Sequence, residues 1–215
     1  MDIEKIIYTT AVWALPVIFA ITLHEVAHGW VASKLGDNTA RMLGRLTLNP
    51  IKHIDPIGTI IVPLAMVFMT GFAFGWAKPV PVNQRNLRNP KKDMVLVAIA
   101  GPLANVAMAI LWVFFLKLVH TTVSDPNILK GLMAMAQAGI IINLVLFVFN
   151  LFPIPPLDGS KVLAGFVPPS VSDIMDKIEP YGFFIIVGLL YFGILNTILN
   201  PILGFFMNAI NTMFF

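Results

Sequence analysis

The fold of this chain is decided by a stretch near its N-terminus that reads Ala20-Ile-Thr-Leu-His-Glu-Val-Ala-His-Gly29. It continues an apolar run that begins at Ile6 and has no charged side chain before Glu25. A run of about 20 such residues is long enough to cross the hydrocarbon core of a bilayer. A charged side chain at that depth costs about 2.5 kcal/mol or more, so Glu25 requires a polar partner or water. The stretch therefore predicts a membrane helix that carries a polar site.

The apolar character continues through the whole chain. Of its 215 residues, 58% are hydrophobic and 12% are charged, which is far from the composition of soluble domains. The connections between the apolar runs are too short to fold as separate domains. We therefore expect an all-α polytopic membrane protein that forms a single domain over residues 1–215. Pro201 is expected to split a short terminal segment from the last run. The uncharged runs are 6–23, 57–77, 94–116, 131–157 and 180–215.

Two stretches depart from the helical pattern. Residues 41–48 alternate between polar and apolar side chains and end before Asn49-Pro50, which predicts a short β-strand. Glycine and proline residues interrupt the run 57–77. The stretch that follows reads Trp76-Ala-Lys-Pro-Val-Pro-Val-Asn83, and its two prolines exclude a helix.

The basic residues are concentrated in one part of the chain. Nine of the fourteen Lys and Arg residues lie between Lys34 and Lys92. Beside membrane spans, such a cluster indicates the cytoplasmic face and not a nucleic-acid-binding surface, so we expect no nucleic-acid partner. If 57–77 crossed the bilayer, the basic residues after it would lie outside, and Asp158 would lie at the membrane face opposite the end of the histidine helix. We therefore predict that 57–77 is re-entrant and returns to the cytoplasmic side.

The two histidines of the opening stretch have the spacing of metal ligands. His24 and His28 are four residues apart, so their imidazoles lie on one face of a helix and can share one ion. Glu25 is placed to take a proton from the metal-bound water and not to be a ligand. The alternative is that the pattern arose by chance on an amphipathic helix, and the cost of a charge at bilayer depth argues against it.

A third protein ligand is needed, because a catalytic zinc usually takes three and keeps the fourth position for water. His53, His120 and the carboxylates are the remaining candidates. Among the carboxylates, Asp158 alone lies at the end of a long uncharged run and within a Pro-rich turn. We predict that Asp158 completes a site for one Zn²⁺ per chain; a turn aspartate before Gly159 is the alternative. His53 is expected to pair with Asp55 in a structural role, and His120 is expected to be solvated.

Three blocks of the sequence together resemble the signature blocks of the site-2 protease family of intramembrane zinc metalloproteases. They occur in the family's order. Residues 76–83 are similar to a β-hairpin that dips into the membrane in this family. The resemblance covers residues 20–165, and we expect neither of the PDZ and CBS domains that members of the family often carry. The blocks are His24-Glu-Val-Ala-His28, Gly101-Pro-Leu-Ala-Asn105 and Asn150-Leu-Phe-Pro-Ile-Pro-Pro-Leu-Asp-Gly159.

The resemblance also implies roles for individual residues. It implies that His24, His28 and Asp158 bind zinc and that Glu25 is the catalytic base. It further implies that Asn150 positions the substrate or stabilises the oxyanion, and an amide donor near a metal suits that role. For Asn105, a helix-packing amide is as good an explanation as a substrate contact.

The predicted function is that of a zinc-dependent endopeptidase that cleaves peptide bonds within or next to the transmembrane helices of substrate proteins. An intact helix hides its carbonyls in hydrogen bonds, so the substrate must unwind, and the extended edge 78–83 is expected to hold it by strand addition. The alternative is a zinc-binding membrane transporter or sensor without proteolytic activity, for which inverted repeats would be expected. We expect an integral protein of the cell membrane, embedded in the lipid bilayer, with its active site toward the cytoplasm. A homo-oligomer is left open.

Overall fold

The computed structural model describes residues 3–70 and 75–214, and this part of the chain is helical and contains no β-strand. The expectation of an all-α protein is confirmed. Short 3-10 turns at Pro50–His53, Gln84–Asn86 and Glu179–Tyr181 and a π-helical turn at Pro56–Ile61 join the longer elements. The α-helices are α1 (Ile3–Lys34), α2 (Thr39–Met42), α3 (Val62–Thr70), α4 (Pro90–Thr122), α5 (Pro126–Asn150), α6 (Asp158–Phe166), α7 (Pro169–Ile178), α8 (Gly182–Tyr191) and α9 (Ile194–Phe214).

Four helices in the described part of the chain are long and apolar enough to cross a membrane, namely α1, α4, α5 and α9. Both α4 and α5 begin before the apolar run that predicts them, each with a proline in its first turn. Proline is favourable there because its missing N–H has no partner within the helix in any case. At α5, Asp125 adds a cap by accepting hydrogen bonds from the N–H groups of Asn127 and Ile128.

The last apolar run divides at a different residue from the one predicted. α8 ends before Gly193, which has a φ of 72°, and α9 then continues through Pro201. A positive φ strongly favours glycine, so the chain turns at this residue. Pro201 lies inside α9, in keeping with the tolerance of apolar membrane helices for proline. The prediction that Pro201 splits off a terminal segment is therefore wrong.

The strand predicted at residues 41–48 is also wrong. The N–H groups of residues 42–45 donate to carbonyls three to five positions earlier, so the backbone coils into α2 and a tight turn. Gly44, with a φ of 63°, makes that turn possible. Residues 76–83, hereafter the extended segment, end in a short turn at Gln84 and pair with no strand among the described residues. The expected β-hairpin is therefore not supported.

The two ends of the run 57–77 are hydrogen-bonded to each other. The N–H of Trp76 donates to the carbonyl of Gly58 at 3.0 Å, and the hydroxyl of Thr59 donates to the carbonyl of Trp76 at 2.9 Å. The N–H of Lys78 donates to the carbonyl of His53 at 2.9 Å. The beginning and the end of the predicted re-entrant run therefore lie side by side, while residues 71–74 of that run lie outside the described part.

The helices around the predicted site pack closely because small residues face large ones. α4 is central and packs against α1, α5 and α6. The backbone of α5 at Gly139 lies against the ring of Trp112, and a Cβ added at this glycine would lie 2.2 Å from that ring. Small residues at such positions allow membrane helices to approach one another. The core between α4 and α5 is formed by Ala109, Trp112, Val113, Leu116, Ala136, Ile140 and Leu144.

A buried carboxylate fastens the extended segment to the end of α1. Asp37 accepts hydrogen bonds from the N–H of Asn83 at 2.7 Å, from the side-chain amide of Asn86 at 3.0 Å, and from both the N–H and the hydroxyl of Thr39. Burial raises the pKa of Asp37, but these hydrogen bonds together lower it further, and the net pKa lies below the usual value. Asp37 therefore stays ionised at neutral pH and keeps its four donors.

Candidate metal centre

The three predicted metal ligands come together in the structure. His24 and His28 lie one turn apart on α1, with their Nε2 atoms 3.0 Å apart. Oδ2 of Asp158, in the first turn of α6, lies 3.1 Å from Nε2 of His24 and 3.2 Å from Nε2 of His28. All three residues are buried. The separation between ligands held about 2.0 to 2.1 Å from a tetrahedral zinc is about 3.3 Å, which is close to the observed spacing.

The protons of the two imidazoles point away from this cluster. Nδ1 of His28 lies 2.7 Å from the carbonyl oxygen of Val97, which can only accept, so the ring proton is on Nδ1. Nδ1 of His24 similarly donates to Oδ1 of Asn105 at 2.6 Å. Both Nε2 atoms then present lone pairs to Oδ2 of Asp158, which is buried and has no hydrogen-bond donor. Three converging acceptors without a proton between them fit a divalent cation.

A chain of buried amides sets the orientation of His24. The carbonyl of Gly139 accepts from Nδ2 of Asn143 at 2.8 Å, and Oδ1 of Asn143 accepts from Nδ2 of Asn105 at 2.9 Å. Nδ2 of Asn105 also donates to the carbonyl of Ala20 at 3.2 Å, which leaves Oδ1 to accept from His24. Because backbone carbonyls only accept, each amide has a single orientation. Asn105 therefore contacts His24, one of the three predicted metal ligands.

Asn143 belongs to the hydrogen-bond chain of the candidate site, and the sequence reasoning missed it. It is fully buried within the apolar run Ile140-Ile-Ile-Asn-Leu-Val145. A polar amide in such a run is costly unless it has partners, and this cost is the signal that points to it. The neighbours of Asn143 lie on two helices, so its partners could not be read from the sequence.

Replacing Asn143 with Leu should weaken zinc binding about 10-fold, the lower end of the effect of losing a residue that orients a ligand. The substitution removes the acceptor of Asn105 and frees that amide to turn away from His24. Zinc affinity of the purified protein, measured by competition with a chelator of known affinity, provides the test. Asn200→Leu, at an exposed position of α9, should retain full affinity. Equal affinities for the two variants would contradict the amide chain.

A glycine allows α4 to approach the histidines. A Cβ added at Gly101 would lie 2.3 Å from Nε2 of His28, 2.6 Å from its Cε1 and 2.7 Å from Cε1 of His24. These distances are far shorter than van der Waals contact, so any side chain here would displace both imidazoles. The second sequence block thus contributes Gly101 as space for the ligands and Asn105 as an orienting partner.

Asp158 is held by the turn that precedes α6. The turn includes a cis peptide bond between Pro155 and Pro156. Gly159 packs directly on it, since a Cβ at this glycine would lie 2.2 Å from the carbonyl oxygen of Leu151. The hydroxyl of Ser160 donates to the carbonyl of Leu157 at 2.7 Å and closes the turn. The Pro-rich block therefore brings Asp158 to the two histidines.

Glu25 and Asn150 lie with the three ligands around one cavity of about 650 Å³. Oε2 of Glu25 accepts a hydrogen bond from the backbone N–H of Val80 at 2.7 Å. Nδ2 of Asn150 donates to the carbonyl of Leu146, one turn earlier in α5, at 2.9 Å. The rest of the wall is mainly apolar and includes Ile21, Trp76, Met94, Phe149, Leu157, Phe183 and Ile186. The cavity therefore combines a carboxylate and an amide with room for apolar side chains.

The other histidines stay apart from the cluster. His53 is buried and donates from Nε2 to the carbonyl of Thr47 at 2.9 Å, not to Asp55 as expected from the sequence. Asp55 instead caps the following helical turn by accepting from the N–H groups of Ile57 and Gly58. His120 is exposed in the last turn of α4. Neither histidine belongs to the candidate metal group found among the described residues.

Comparison with known proteins finds relatives whose names describe them as candidate zinc metalloproteases. YwhC of Bacillus subtilis is 43% identical over 192 residues, which are 88% of this chain and 84% of YwhC. Rip2 of Mycolicibacterium smegmatis is 29% identical over 180 residues, which are 83% of this chain and 66% of Rip2. MJ0611 of Methanocaldococcus jannaschii is 46% identical over 67 residues, 31% of each chain. No family model matches the chain, and no solved structure matches it significantly.

Proposed function

Because this chain belongs to the site-2 protease family of zinc metalloproteases, we propose that it is an endopeptidase that cleaves peptide bonds within or next to the transmembrane helices of other membrane proteins. The observation that carries the proposal is the position of Glu25. It lines the same cavity as His24, His28 and Asp158, between helices apolar enough to cross a membrane. A carboxylate beside converging metal ligands is suited to activating water.

The chemistry divides among few residues. His24, His28 and Asp158 would hold one zinc ion, which when bound supplies a Lewis acid for the scissile carbonyl and lowers the pKa of water. Glu25 takes the proton of the attacking water and delivers it to the leaving amine. Asn150 uses one N–H of its amide for the carbonyl of Leu146 and has a second to donate to the oxyanion.

The substrate must present an extended backbone to this cavity. Within residues 78–83, two positions are proline and have no N–H, and the N–H groups of Lys78, Val80 and Asn83 already have acceptors. The N–H of Val82 has no hydrogen-bond partner in the described part of the chain. We propose that the substrate strand pairs at Val82, which lines the same cavity as Glu25, while its side chains enter the apolar part of that cavity.

The chain is a multi-pass membrane protein, and we propose that it lies in the cell membrane with its active site toward the cytoplasm. The charge bias of the loops between Lys34 and Lys92 supports this orientation. The hydrogen bond between Gly58 and Trp76 supports a re-entrant path for 57–77, since both ends of the run then lie on one side.

The topology can be tested by accessibility labelling in intact cells. The chain has no native cysteine, so Arg85 and Asn89 can each be replaced by a single cysteine without first removing others. Both should resist an impermeant maleimide until the membrane is permeabilised, whereas a cysteine at Ser124, between α4 and α5, should react at once. Labelling of the cysteine at position 85 or 89 in intact cells would show that 57–77 crosses the bilayer.

Zinc-dependent cleavage is the direct test of the proposed function. The purified protein would be reconstituted in lipid vesicles with single-span membrane proteins, and new termini would be located by mass spectrometry. Cleavage within or beside the span should stop when a chelator removes the metal and return when Zn²⁺ is restored. Tight zinc binding without cleavage of any substrate, together with zinc flux across the vesicles, would instead support a transporter.

A further inference from the structure

The extended segment is held in place by its own N–H groups. Successive N–H groups of an extended chain alternate in direction. Three N–H groups of the segment donate to oxygens of surrounding loops at 2.7 to 3.0 Å, namely those of Trp76, Lys78 and Asn83. The fourth belongs to Val80 and donates to Glu25 at 2.7 Å. Of the anchoring contacts, this one alone reaches a residue of the proposed catalytic machinery.

The sequence around Val80 leaves no competing donor. Pro79 and Pro81 flank it, and neither has an N–H. The guanidinium of Arg45 donates to the carbonyls of Lys78 and Pro79 at 3.0 and 3.3 Å, which fixes the peptides that precede Val80. The position of one specific N–H is therefore determined by the surrounding backbone.

Val80 is also packed against the helix that carries Glu25. Its side chain is buried, and a Cβ added at Gly29 of α1 would lie 2.9 Å from its Cγ1. The glycine lets the segment lie directly on α1, one turn after the carboxylate. Two contacts thus fix the distance between the Val80 amide and α1, one apolar and one a hydrogen bond.

A carboxylate that acts as a base needs a fixed orientation. Oε2 of Glu25 accepts a hydrogen bond from the N–H of Val80, so we assign Oε1 to the attacking water. Hydrogen bonds to a charged group are stronger than those between neutral groups, and in a poorly solvated site they hold the carboxylate without reorganisation during the reaction. A carboxylate lacking this donor would have several rotamers that face away from the water.

We propose that the backbone N–H of Val80 positions Glu25 for catalysis, so that the extended segment orients the base in addition to bordering the substrate cavity. The inference rests on the proposed function. It gives Pro79 and Pro81 a role: because neither has an N–H, the N–H of Val80 is the donor that this part of the segment offers to Glu25. It also explains why the segment is anchored on both sides of Val80.

The matched experiment replaces single peptide bonds with esters. Introducing α-hydroxyvaline at position 80 by nonsense suppression removes the N–H and keeps the side chain. The kcat for a single-span substrate should fall about 10-fold, the effect of losing one hydrogen bond to a charged group. KM and zinc content should stay within about twofold, because neither depends on the orientation of the base.

An ester at Lys78 is the control for a loosened segment. It removes the hydrogen bond to the carbonyl of His53, in the same segment, and Lys78 does not line the cavity. This variant should keep its kcat. An equal fall of kcat in both esters would mean that the hydrogen bond of Val80 only stabilises the segment, and the positioning role would be rejected. A kcat unchanged by the ester at Val80 would overturn the proposal, and so would a loss of zinc from that variant.

An infrared measurement separates this proposal from the proposed function. The difference spectrum between wild type and Glu25→Gln isolates the carboxylate band of Glu25 in the protein without substrate. The ester at Val80 should shift that band, and the ester at Lys78 should not. A wild-type protein that cleaves nothing would refute the proteolytic function, while the band would still report whether Val80 holds Glu25. An unshifted band would overturn the positioning role.

Discussion

Replacing Glu25 with Gln is expected to abolish cleavage while zinc stays bound. Glutamine has nearly the same shape and retains an oxygen that can accept from the N–H of Val80, but it cannot take a proton from water. Loss of a general base typically reduces the rate by about 10² to 10⁴-fold. The three converging ligand atoms belong to other residues, so the metal site keeps its donors. Zinc content by elemental analysis and the appearance of new termini in reconstituted vesicles measure the two effects.

A carboxylate outside the cavity provides the control for this variant. Glu179 is exposed in the turn before α8, and Glu179→Gln should cleave at the wild-type rate. If Glu25→Gln retained more than about a tenth of the wild-type kcat, Glu25 would not be the base. If the variant lost its zinc, Glu25 would have to support the ligands, and the assignment of Glu25 to proton transfer alone would be wrong.

Adding one methyl group at Gly101 should destroy the metal centre. The new Cβ would lie 2.3 Å from Nε2 of His28 and 2.7 Å from Cε1 of His24, and neither ring can move far. His28 is fixed by the carbonyl of Val97, and His24 is fixed by Asn105. We expect Gly101→Ala to lower zinc affinity at least about 100-fold, beyond the range typical of residues that only orient a ligand. Cleavage at limiting zinc should fall in proportion.

The control for Gly101→Ala is the same glycine-to-alanine substitution at another position of a membrane helix. Gly131 of α5 has no atom within 4 Å of an added Cβ, so Gly131→Ala should bind zinc and cleave as the wild type does. Thermal stability of both variants should be compared without metal, because overpacking of a tight contact costs about 1 to 3 kcal/mol by itself. A Gly101→Ala protein with wild-type zinc affinity would mean that α4 can move away from α1.

The residues of the candidate metal centre could be predicted because their signals are local. His24 and His28 share a helix face by spacing alone, and Glu25 is marked by the cost of its charge within an apolar run. Asp158 followed from the Pro-rich turn at the end of another run. The strand predicted at residues 41–48 was wrong because a short alternation of polar and apolar residues is not specific to a strand, and here the backbone hydrogen bonds close locally in a turn.

The sequence by itself determined the class of the protein and the chemical groups of its site. Apolar runs must be helical to satisfy their backbone in lipid, and spacing on one helix fixes which side chains meet. Only the tertiary structure decided how those groups are held. Asn105 lies 81 positions from His24, and Val80 lies 55 positions from Glu25, so both contacts arise from the packing of separate elements. The room for His28 beside Gly101 likewise exists only because α4 packs against α1, which no local pattern records.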